Sequence, residues 1–148
     1  MFSEILKLKG RVGIVVKDKD GKVKETREEN NLVVDTGLNY IASRMNATPT
    51  VMSHMGLGTG TVAASAGNTD LGALAGSREA LDSTTVTDNT INFVCNFEAG
   101  LVTGAITEAG IFNAASAGTM LCRVVFSEVN LTATDSISVD WTITLSAS

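Results

Sequence analysis

The chain has 148 residues, 44% of them hydrophobic and 5% aromatic, with a formal charge of −5. That length suits one domain with a core of its own, and the negative balance gives no support for nucleic-acid binding through phosphate neutralisation. No apolar run approaches the roughly 20 residues of a membrane-spanning helix. The start, MFSEILKLKG, lacks the parts of a secretory signal, so synthesis in a cytoplasm is expected.

Residues 1–10 read as an N-terminal arm, made apolar by Phe2, Ile5, Leu6 and Leu8, ahead of a single domain over 11–148. Val12, Ile14 and Val16 then alternate as on a half-buried strand. Asp18-Lys19-Asp20-Gly21 supplies turn chemistry, and a charged strand runs from 22 to 28. Nine of the 11 Lys and Arg lie in the first 46 residues, among seven acids. Alternating signs in KDKDGKVKETREE predict a solvated hairpin. A second reading makes Lys17, Lys19, Lys22 and Lys24 a docking surface for an oppositely charged partner.

Asp35-Thr36 offers an N-cap to one short helix. Leu38, Ile41, Ala42 and Met45 recur at three- and four-residue spacing, and Thr48-Pro49 ends the pattern. A short strand is expected over 51–57, then a small-residue loop with a helical turn near 71–75. Further strands are expected over 78–86 and 90–98. Another spans 105–108, followed by a bulge or turn at Ala109-Gly110, and two more cover 119–129 and 136–146. The last is the clearest: Ile137, Val139, Trp141, Ile143 and Leu145 point one way, and Ser138, Asp140, Thr142 and Thr144 the other. Short strands at this spacing predict a sandwich or barrel rather than βαβ units.

Few residues invite chemistry. Gly56-Leu57-Gly58-Thr59-Gly60 lacks both the third glycine of a dinucleotide fingerprint and the Lys of a Walker loop, and reads as a glycine-rich connection. His54 is the single histidine, with no Cys or second His near it in sequence; a partly buried, hydrogen-bonded ring is expected rather than a metal ligand. Cys95 and Cys122 fall on apolar sides of strand patterns and read as buried thiols. Glu98 and Glu108 flank AGLVTGAIT. They could form an acid/base pair, but surface carboxylates are expected in so acidic a chain. Glu108, beside a tight turn, has a further reading as an acceptor of backbone N–H bonds that fixes a loop. Asn46-Ala47-Thr48 and Asn130-Leu131-Thr132 match the glycosylation pattern, inert in a cytoplasm. No enzyme activity, cofactor or metal is expected.

Four segments carry a resemblance: NNLVVDTGLNYIASRM, MSHMGLGTGT, ITEAGIFNAASAGTMLCRVVF and ISVDWTITLS. In this order they resemble small virion-associated proteins of tailed bacteriophages, over about residues 30–148. TEAGIF is the sharpest part, and related segments are found in tail-fibre and tail-collar proteins. The resemblance implies a β-sandwich and no catalytic residues. Together with the strand pattern, it gives a mainly β fold: an antiparallel, jelly-roll-like β-sandwich with an N-terminal hairpin and one short helix. The resemblance further implies a capsid cement or decoration protein, bound as a homotrimer outside the major capsid protein lattice, with a tail or fibre-attachment module as the alternative. Neither nucleic acid nor membrane is an expected partner. The expected contact residues are Phe2, Ile5, Leu6, Leu8, Lys17, Lys19, Lys22, Lys24 and Glu108.

Overall fold

A computed structural model describes residues 3–147. The elements in chain order are β1 (Leu6–Lys17), β2 (Val23–Asn30), β3 (Leu32–Val33), α1 (Asp35–Ser43), β4 (His54–Gly58), β5 (Leu74–Ala80), β6 (Ser83–Thr87), β7 (Thr90–Phe97), β8 (Gly104–Phe112), β9 (Met120–Leu131) and β10 (Ser136–Ala147). They form two five-stranded antiparallel sheets, ordered β2-β1-β10-β7-β6 and β3-β9-β8-β4-β5. The architecture is the expected antiparallel β-sandwich with one short helix.

Strand periodicity builds the core directly. Antiparallel pairing places Val12, Trp141 and Phe93 in one row, Ile14, Val139 and Cys95 in the next, and Val16, Ile137 and Phe97 in a third. All nine side chains are buried. The second sheet meets them with Leu57, Ile106, Ile111, Val124 and Val129. Burying a Leu, Ile, Val or Phe side chain stabilises by about 1.5–3 kcal/mol, so these facing rows are the main source of cohesion.

The charged hairpin forms as expected. Asp18 Oδ1 accepts from the Asp20 and Lys22 amides, and Gly21 takes the left-handed backbone (φ 78°) that the reversal requires.

Several boundaries differ from the sequence reading, each for a local reason. The arm expected over 1–10 is strand from Leu6 onward, because Leu6–Gly10 pair with Ala147–Ile143 of β10. Val34, not Asp35 or Thr36, occupies the N-cap of α1 without a side-chain bond. Thr36 Oγ1 instead donates to the Met120 carbonyl. No helical turn forms at 71–75; the amides of Gly72 and Ala73 are drawn to a carboxylate, and β5 starts at Leu74. The strand expected over 78–86 is two strands in different sheets. Between them Leu81 N bonds Ser53 O and Asp82 N bonds Val94 O, so the chain crosses from sheet to sheet there. Finally, β8 runs straight through Ala109-Gly110; its register shifts after that pair, between Ile111 and Phe112, and before it, between Ile106 and Glu108. That bulge leaves Ile106, Ala109 and Ile111 facing the core and turns Glu108 outward.

Candidate functional site

The outer face of the second sheet is not wet. The loop over 59–73 folds across it, and Val34, Leu71, Phe112 and Met120 form a small second cluster beneath. Inside this cover lies Glu108, fully buried. Its Oε1 accepts from Gly72 N (2.7 Å) and Arg123 Nε (3.1 Å), and its Oε2 from Ala73 N (3.0 Å) and Gly60 N. Arg123, equally buried, donates through Nη1 to Asn68 Oδ1 and through Nη2 to Val62 O, both at 3.0 Å. Thr107 Oγ1 adds a bond to Gly60 O. Burial works to raise the Glu108 pKa; the bonds from Gly72, Ala73, Arg123 and Gly60 outweigh it and hold the carboxyl below its ordinary value.

This arrangement settles two readings. A surface position for Glu108 is wrong: the carboxylate is enclosed and its lone pairs are engaged by the protein, so it presents nothing to a partner. Acceptance of backbone N–H bonds is right, although the amides come from the loop over 59–73 rather than from a turn beside Glu108. The glycine-rich segment does cradle an anion, and that anion is the chain's own. A side chain on Gly58 or Gly60 would collide with the Glu108 carboxylate. Glu98 lies exposed after β7 and shares no bond with Glu108 among the described residues.

His54 is partly buried, with Nδ1 2.8 Å from Ser53 Oγ. Both cysteines are buried thiols. Among the described residues no three His, Cys, Asp or Glu side chains converge as a metal site.

The expected contact residues separate into two groups at opposite ends of β1. Phe2 lies outside the described residues. Ile5 and Leu6 are 57% and 59% exposed. Leu8 is half-buried and is a wall residue rather than an outward contact. At the other end Lys17, Lys19, Lys22 and Lys24 are exposed around the hairpin. At about 3.3 Å per residue, the length of β1 sets the two groups roughly 36 Å apart. Lys24 is not wholly available outside, since its Nζ bonds Asp135 Oδ2 at 2.7 Å. That bond, with the Thr132 amide, holds the Asp135 carboxyl below its ordinary range. Arg27 ties the same hairpin down by donating to the Ser127 and Glu128 carbonyls of β9. These long-range ties have no signature in sequence spacing.

One feature escaped the sequence reading. Leu8, Tyr40, Ile41, Met52, Val86 and Phe93 help line an apolar cleft of about 330 Å³ between the sheet ends, with Arg44 on its wall. Val86, 70% exposed within the polar run STTVT, is the signal that marks it. No family model, curated protein or solved structure matches this chain.

Proposed function

We propose that this chain is a structural protein of a tailed-phage particle, a cement protein that bridges neighbouring units on the outside of the capsid lattice. The particle is suggested by the resemblance. Three of its four segments meet in one place: Val34 and Gly37 lie against β9, Gly58 and Gly60 close on Glu108, and Glu108 reaches Arg123. The fourth is β10, the central strand of the other sheet. The resembling residues thus form the interior and loop anchor of a surface-building domain.

The observation that carries the bridging role is the separation of the two contact groups along β1. A rigid strand with an apolar group at one end and a lysine-bearing hairpin at the other touches two neighbours at once. Many copies that bind only the assembled lattice stabilise it by mass action. In this reading the hairpin meets the lattice and the apolar end meets an adjoining copy, three copies closing a ring.

The test is to add purified chain to expanded heads that lack it. Saturable binding with a raised temperature of DNA release supports cement. Binding to tails and not to heads favours the tail-module reading.

A further inference from the structure

We infer that the apolar cleft and the outer edge of β6 together receive the N-terminal segment of a second copy of this chain, which adds to the sheet as a strand. The inference shares with the proposed function only the expectation that copies associate, and its test needs no capsid.

Three observations converge. The first is the edge itself. β6 ends the order β2-β1-β10-β7-β6, so one side of it is unpaired among the described residues. Proteins protect such edges with charge, proline or cover. The opposite edge strand, β2, reads VKETREEN and carries five charges in eight residues. β6 reads STTVT, uncharged, proline-free and exposed at every position. Such an edge is a template for another strand.

The second is the cleft beside that edge. Thr84 and Val86 of β6 line it, so the next strand outward would turn alternate side chains into it. Its other walls are apolar except for Arg44. Among the described residues Arg44 has no carboxylate partner; its Nη1 donates to the Pro49 carbonyl.

The third is the segment. In MFSEI, ahead of β1, an extended backbone puts Phe2 and Glu4 on one side, an apolar anchor beside an acid. Glu4, like Arg44, has no ion-pair partner among the described residues. Insertion sets Phe2 in the apolar cleft and Glu4 against Arg44. The occupant belongs to a second copy because β1 is already paired with β10 from Leu6. Folding back would need a reversal within residues 3–5, ahead of β1, which would leave only residues 1 and 2 to form the added strand. Each copy gives one segment and receives one, so the exchange closes, as a two-fold dimer or a ring, when the rotation between copies closes.

The experiment measures mass against concentration for the purified full-length chain by sedimentation equilibrium. The variants are Glu4→Arg, Arg44→Glu, the double exchange of both, and a deletion of residues 2–5. Both substituted side chains are exposed, and circular dichroism checks that each variant folds. The wild type is expected to associate and the deletion to be monomeric. Each single exchange should weaken association about ten-fold or more, and the double exchange should restore it to within about three-fold. A fluorescent MFSEILKL peptide should bind the deletion variant and lose affinity on Val86→Arg. A monomeric wild type at every concentration, or an assembly that survives the deletion, overturns the inference. Failure of the double exchange to rescue also overturns it. So does uptake of an apolar dye by a monomeric wild type, which would assign the cleft to a small ligand.

Discussion

Arg123 faces Gly110 across the β8–β9 ladder, and its guanidinium reaches along the sheet to Glu108, 3.1 Å away. The space beside that glycine is filled by Leu71 and Phe112, and the pair holds the loop over 59–73 through five residues, Gly60, Val62, Asn68, Gly72 and Ala73. Neither partner is replaceable alone, because each leaves the other buried and unpaired.

Glu108→Ala is therefore expected to cost roughly 3–5 kcal/mol, the range for removing one member of a buried ion pair. Urea unfolding gives the stability. Limited proteolysis should show new cleavage within 59–73 before the sandwich itself opens.

The same carboxylate sets a pH dependence. Glu108 and Asp135 have folded pKa values below the ordinary 4.5 and 3.8. A depressed carboxylate contributes stability that is complete above its unfolded pKa and is lost as pH falls through its folded value. Unfolding midpoints should hold steady from about pH 7 to about pH 5 and then fall, with Glu108→Gln giving a shallower fall. An equal acid slope in that variant would remove Glu108 from the account.

Trp141 is fully buried between Val12 and Phe93, and its indole Nε1 has no hydrogen-bond partner among the described residues. Trp141→Ala should cost roughly 3–5 kcal/mol through lost burial and a cavity. Trp141→Phe should cost distinctly less, since it removes an unsatisfied donor while keeping an aromatic ring. Thermal unfolding of the two variants decides the order; a loss below about 1 kcal/mol for Trp141→Ala would mean the inward face is misassigned.

Burial pushes the Cys95 thiol up to about 12, aided by Asp82 and Glu79, and raises Cys122 well above its ordinary value. The thiolate is the reactive form. Both cysteines should resist a thiol reagent in the native protein and react at the rate of opening once urea is added. Rapid labelling without denaturant would contradict the buried rows.

What was legible in the sequence follows from which surfaces are wet. β10 and the β1–β2 hairpin alternate in sequence because one face meets the core and the other meets water. β8 does not, because the bulge after Ile106 flips its parity and the loop over 59–73 covers its outer face. TEAGIF therefore reads as a strand start followed by a break, when it is one strand buried on both sides. The stretch at 71–75 has helix-compatible residues, yet Glu108, distant in sequence, claims its amides. The Glu108 anchor was half legible, as a carboxylate suited to backbone donors. Its burial and its Arg123 partner depend on strand register. The apolar cleft needs residues from six elements, Arg44 and the 51–52 segment, and no single window of sequence shows it.

The proposed role is structural, in the head of a tailed-phage particle. Heads and tails of purified particles from the chain's own source, separated after mild disruption, can each be assayed for it by quantitative mass spectrometry. Recovery with heads, at a copy number comparable to the major capsid protein, is the predicted result. Absence from heads, whether with recovery in tails or in neither fraction, would contradict the account.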